Sequence, residues 1–131
     1  MSQENVEIVR RAHEAYERGD LAEMVKDFDS GAITYREVPD GATFHGPEGL
    51  SQMIADWVEG FDEFTFTTQE LIDANDHQVV VGTHQTAVGA QSGVPIEADF
   101  WFVHTLRNAK VTRLDIVASK ARALEVAGLE E

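Results

Sequence analysis

The first third of the chain carries its apolar residues at helical spacing. Val6, Val9, His13 and Tyr16, flanked by Ile8 and Ala12, make one stripe over residues 4–18, as expected of a helix laid on a core. Gly19 is a suitable stop. Asp20-Leu21-Ala22-Glu23 has the capping-box pattern and predicts a second helix with Leu21, Met24, Val25 and Phe28 facing inward. Ser30-Gly31 reads as a turn, and Ala32 to Val38 as a short strand. On that strand Ile33, Tyr35 and Glu37 share one face, which their apolar members turn toward the core, while Arg36 on the other face reads as a surface charge. A loop at Pro39-Asp40-Gly41 and the run Phe44-His45-Gly46-Pro47-Glu48-Gly49 lead into a third helix. There Pro47 lies near the first turn, and Leu50, Met53, Ile54, Trp57 and Val58 keep the i, i+3, i+4, i+7, i+8 pattern.

From Phe64 onward the period is two. Phe64, Phe66 and Thr68 begin a long strand running toward Ile72, and residues 73–77 form a polar turn. Val79 to Val88 is the next strand, and Gly89-Ala90-Gln91-Ser92-Gly93 a loop. The chain is organised around the stretch Pro95 to Ala118. Phe100, Phe102 and His104 point one way; Trp101, Val103 and Thr105 point the other. Large apolar groups on both faces mean that neither face is simply open to water. After the polar turn Arg107-Asn108-Ala109-Lys110, Leu114, Ile116 and Ala118 alternate with Arg113 and Asp115. Symmetric closure of the 89–93 loop puts Val88 near Ile96 and His84 opposite Phe100, so that His84 shares a cavity face with Phe102 and His104. A short helix over 119–129, ended by Gly128, caps one end of the sheet.

Composition narrows this picture. At 131 residues the chain is one domain, 1–131, large enough for a single core. No cysteine is present, which removes disulfides, thiol nucleophiles and thiolate metal sites. No apolar run approaches the ~20 residues that span a bilayer, and the expected location is cytoplasmic. Charge is more telling. The net charge is −14, and the 70 residues from Glu37 to Leu106 hold twelve acids and no Lys or Arg. Such a surface repels phosphate backbones and anionic membranes, so neither nucleic acid nor membrane is an expected partner. An anionic small ligand would have to find Arg36 or a base near either end of the chain.

Candidate chemistry is sparse. The sequence has no Gly-x-Ser-x-Gly elbow, no Gly-x-Gly-x-x-Gly, no phosphate loop, and no His-x-x-x-His or His-Glu-x-x-His. His84 and His104 lack a third ligand at recognisable spacing, so no metal and no cofactor is expected. Glu37 is either drawn inward beside Ile33 and Tyr35, where its pKa would be raised and it could serve as a general acid or base, or solvated at the strand's frayed end. His13, on the buried stripe, reads as a half-buried core histidine with one satisfied nitrogen or as a pocket-lining residue.

The ordered set of local motifs resembles the SnoaL-like branch of the nuclear transport factor 2-like superfamily. It comprises Asn5-Val6-Glu7-Ile8-Val9-Arg10-Arg11-Ala12, Gly19-Asp20-Leu21, Phe44-x-Gly46-x-Glu48-Gly49, Glu70-Leu71-Ile72-Asp73-Ala74, Leu106-Arg107-Asn108-Ala109-Lys110-Val111 and residues 120–129. The resemblance covers essentially the whole chain. It implies an α+β cone, in which a curved antiparallel sheet wraps around N-terminal helices and leaves a deep cavity. It also implies a homodimer through the outer sheet face, for which Val79, Val81, Trp101 and Val103 are suited. Function transfers poorly, since this fold hosts isomerases, cyclases, hydrolases, dehydratases and binders. Where ketosteroid isomerases carry a tyrosine, a basic aspartate and a protonated aspartate, the matching positions here look like Ala12, Arg36 or Glu37, and Phe102. The Arg and Asp that epoxide-hydrolase-like relatives need on strand Val79–Val88 are missing. SnoaL-type cyclases use an acid with histidine support, for which Glu37 with His84 is the counterpart.

Two readings stand, and the sequence leaves open whether the chain is an enzyme. In one it is a cofactor-independent acid–base isomerase, cyclase or dehydratase acting on a small apolar carbonyl compound. Glu37 or His84 moves the proton; Tyr35, Tyr16 or His104 donates to the developing oxyanion; Trp57, Phe100 and Phe102 line the pocket. In the other it is a non-catalytic dimeric ligand-binding or interaction module with an apolar cavity.

Overall fold

A computed structural model describes residues 2–129. The chain runs α1 (Ser2–Glu17), α2 (Leu21–Val25), β1 (Phe28–Arg36), β2 (Ala42–His45), α3 (Gly46–Glu59), β3 (Phe61–Asn75), β4 (Gln78–Gly89), β5 (Pro95–Arg107), β6 (Lys110–Val117) and α4 (Lys120–Val126). The start of α2 obeys the capping logic read from the sequence. Gly19 takes φ +78°, a left-handed conformation that favours glycine, and the Asp20 carboxylate accepts from the Glu23 backbone N–H at 3.1 Å.

The six strands form one curved, unclosed sheet in the order β2-β1-β6-β5-β4-β3. Every pairing is antiparallel except β1 with β6, which is parallel. The α+β cone that the resemblance implied is present, its curved sheet antiparallel but for this one pair. A parallel pair needs a long crossover, and the chain between β1 and β6, carrying α3 and four strands, supplies it. Strand β1 also starts earlier than expected: the Ser30-Gly31 turn is a break of register between Phe28 and Ile33, inside the strand. Strand β2, expected as loop, is held by four antiparallel pairs to β1. Three shifts of register along β3–β4 supply the local bends by which a sheet curves.

Helices α1 and α3 cover one face, and the main core lies there. Ile8, Val9, Leu50, Ile54, Phe66, Phe102, Leu114 and Ile116 are all buried in it. A smaller cluster on the outer face joins Val80, Val103 and Val117 to Ala123 and Ala127 at α4. This corrects the expected pairing surface. Val79 and Val81 are fully buried in the main core. Val80 is the valine that faces outward, and Val103 lies beneath α4. Trp101 remains half-buried outside, its ring over Gly82. Among the described residues no helix is long and apolar enough to cross a membrane.

Candidate functional site

A cavity opens between the helices and the inner sheet face. Its walls come from Ala12, His13 and Tyr16 on α1, Leu50, Met53, Ile54 and Trp57 on α3, and Phe100, Phe102 and His104 on β5. Gln85, Leu114 and Ile116 add to the sheet wall, and Arg36, Val38 and Pro39 form one rim. The cavity volume is about 50 Å³. A cavity needs ~10–15 Å³ to hold one water, so this one has room for more than one.

The alternation read along β5 holds: Phe100, Phe102 and His104 turn into this space. On α1, His13 is one turn from Val9 and from Tyr16, and the stripe carries it against His104. The two Nε2 atoms are 3.4 Å apart. Around them Phe102 meets His13 edge-on with centroids 5.4 Å apart, and Phe66 stacks on it at 5.7 Å. Phe66 also stacks on Tyr16 at 4.0 Å. The Trp57 indole N–H donates to Gln85 Oε1 at 3.2 Å.

Electrostatics reflect this burial. Desolvation holds His13 well below the ordinary histidine value, with a smaller push from His104. Burial lowers His104 to about 4, against a weaker opposing pull from the Val79 backbone. Burial raises the Tyr16 phenol. At neutral pH all three are uncharged. A contact between two neutral imidazoles requires one Nε2 to donate and the other to accept. Each ring's Nδ1 is buried with no well-formed hydrogen bond among the described residues, the Val79 backbone near His104 giving only a weak pull. One of these is then an N–H and the other a lone pair, and leaving either unsatisfied costs about 1–3 kcal/mol.

The structure separates the residues that the sequence grouped. Tyr16, Trp57, Phe100, Phe102 and His104 line the cavity; Tyr35, Glu37 and His84 do not. On β1, Ala32 and Thr34 are the buried positions and Arg36 reaches the cavity, so the inward face is the opposite of the one expected. Glu37 consequently meets Arg122 of α4 in a two-pronged pair, its oxygens 2.8–3.1 Å from Nη2 and Nε. The Arg122 hydrogen bond lowers the Glu37 pKa rather than raising it. The β4–β5 hairpin closes one residue off the symmetric register: Ala87 faces Ile96, and His84 faces Asp99. A slip of one residue turns every side chain to the other face. Gln85 takes the inner position, while His84 lies outside with Nδ1 2.5 Å from Asp99 and Nε2 3.5 Å from Glu97. The expectation that Glu37 and His84 share a cavity is corrected. Gln85 is what sequence reasoning missed, and Arg36, read as a surface charge, reaches the cavity rim. His13 carried a signal, because it stands on the same stripe as Tyr16.

Among the described residues no Asp or Glu lines the cavity, and no group of three or more His, Asp or Glu is placed to hold a metal ion.

Similar folds are known. A nuclear transport factor 2-like protein from Burkholderia thailandensis is 21% identical with TM-score 0.79, covering 94% of each chain. A protein of ketosteroid-isomerase-like fold from Catenulispora acidiphila, in complex with trimethylamine, is 17% identical with TM-score 0.74, over 94% of this chain and 93% of that one. TerC, co-crystallised with polyporic acid, is 17% identical with TM-score 0.74, over 95% of this chain and 98% of that one. Comparison with curated proteins gives no match. The description "SnoaL-like domain" matches residues 9–114, most of the chain and both walls of the cavity, and the chain therefore belongs to the SnoaL-like family.

Proposed function

We propose that this domain binds a small, mostly apolar organic molecule in the α1–α3–β5 cavity, with a carbonyl or hydroxyl oxygen directed at the His13–His104 pair. The observation that carries this reading is that pair, buried among aromatic rings with a nitrogen on each ring left without a well-formed hydrogen bond among the described residues. A predominantly apolar pocket with a few convergent polar groups is the usual form of a small-molecule site. Met24 and Met53 in the walls are adaptable side chains. The organic molecules bound by TerC and by the Catenulispora protein support the same reading.

The acid–base alternative is an isomerase, cyclase or dehydratase on a carbonyl compound, and it passes from Glu37 and His84 to His13, His104 and Tyr16. Proton transfer is most efficient when the catalytic pKa lies near the working pH. With His104 near 4 and His13 also depressed, the pair is a weak base, and the geometry favours binding over turnover. The homodimer also stays part of the proposal, with a changed footprint. Half-buried Trp101, Ile72, Ala74, Val126 and Leu129 border the outer cluster, and a second copy would pack there in a cytoplasmic protein.

Intrinsic fluorescence tests the binding reading. The chain has two tryptophans, and Trp57 alone lines the cavity. In a Trp101→Phe variant, titration with flat aromatic ketones should quench or shift Trp57 emission and move the ring protons of His13 and His104 in NMR spectra. Binding that leaves both histidines unmoved would end the proposal.

A further inference from the structure

We propose that the cavity selects ligands bearing a carboxylate or a comparably acidic oxygen, and that Arg36 recognises it. This rests on the reading of the cavity as a ligand site and adds the charge class of the occupant. Among the described residues that line the cavity, Arg36 is the only Lys or Arg, and no acid accompanies it there. The chain carries −14, and the 70 residues after Arg36 contain no Lys or Arg. Arg36 is therefore the one cation of the described lining that an entering anion meets, on a chain whose overall charge is negative.

The guanidinium is also held in place. Its backbone is fixed at the end of β1 between Ala42 and Ile116. Nε and Nη2 donate to the Asp40 carboxylate at 3.1 and 2.7 Å, and the charge lies over the Phe44 ring, 5.0 Å from its centroid. The side chain is only 18% exposed. A guanidinium has five N–H donors in a planar fork. Asp40 takes two of them, and Nη1 makes no hydrogen bond to another described residue. Asp40 thus occupies one edge in the way a ligand carboxylate would, and the other edge is left for a ligand oxygen. Because Asp40 competes for the same cation, it sets how strongly an incoming anion is held.

The probes are 2-naphthoate and 2-naphthamide, which share an apolar body and differ in charge. The readout is the ratio of their affinities, by calorimetry or by Trp57 emission in the Trp101→Phe background. The wild-type chain should prefer naphthoate by about tenfold, the lower end of what a charge-assisted hydrogen bond supplies. Arg36→Gln should bring the ratio to about one. Asp40→Asn should raise it severalfold, a gain that a misfolded protein cannot mimic. A ratio near one in the wild type overturns the inference, as does a preference that survives Arg36→Gln or falls in Asp40→Asn. Naphthamide binding in the cavity without any preference for naphthoate defeats only this inference. Failure of both compounds to bind defeats the ligand site as well.

Discussion

Two histidine sites lie on opposite faces of one sheet, and their chemistry is opposite. Inside, His13 and His104 touch each other among Phe66 and Phe102, and burial depresses both pKa values. Outside, His84 stands between Asp99 and Glu97, and the Asp99 hydrogen bond raises its pKa. The residue type is the same, but the solvent and the partners differ. What assigns a histidine to one fate or the other here is the parity of its position on a strand or its place on a helical stripe. The inner pair can give or take a hydrogen bond with a neutral ligand. The outer one is a surface cation whenever its acids hold the proton on it.

The sharpest way to break this contrast is through acid stability. An unfolded histidine titrates near 6.5. Above that value neither state binds the proton, and the inner pair contributes no pH dependence. Below it the unfolded chain takes up protons that the folded chain refuses. Stability should therefore fall from about pH 6.5 down to about 4, where His104 itself is protonated. For His104 alone the loss is about 3 kcal/mol, and His13 adds to it. Urea titrations across this range should show the slope, and a His13→Leu/His104→Leu double variant should flatten it. An unchanged slope in that variant would refute the buried neutral pair.

A smaller effect is expected on the outer face. A Cβ added at Gly82 would meet the Trp101 ring at 2.5 Å. Gly82→Ala should therefore swing the indole outward at a cost of about 1 kcal/mol, with red-shifted Trp101 emission in a Trp57→Phe background. Emission that stays put would mean the ring does not rest on Gly82. The smallest effect belongs to His84→Gln. Its sign is opposite to that of the inner pair: the His84 contribution is present below the unfolded value and lost as pH rises through the raised folded pKa. NMR titration should place the His84 midpoint above 6.5, and the variant should cost no more at any pH than an ordinary surface substitution. A midpoint below that of a free histidine would remove the contrast.

Much of the scaffold could be read from one-dimensional pattern. The α1 stripe, the capping box at Asp20, the apolar face of α3 and the inward alternation of Phe100, Phe102 and His104 are local consequences of period and side-chain type. The candidate site was legible only where it rests on them. It failed at Glu37 and His84, where the deciding facts are not local. Ile33 and Tyr35 made one face of β1 look like the core face, but packing placed small Ala32 and polar Thr34 inside and sent Glu37 to Arg122. For β4 the hydrophobic pattern was ambiguous, because Val79, Val80 and Val81 are apolar on both faces and cannot choose a register.

Residue order alone was enough to establish the family, the helices that roof the cavity and the strand that floors it, since those depend on spacing within single elements. Which polar side chains enter the cavity was settled by packing between elements. Entry depends on how one strand registers against the next and on what covers each face. A loop of a few residues can shift that register by one at little cost in backbone hydrogen bonds, and such a shift exchanges His84 for Gln85.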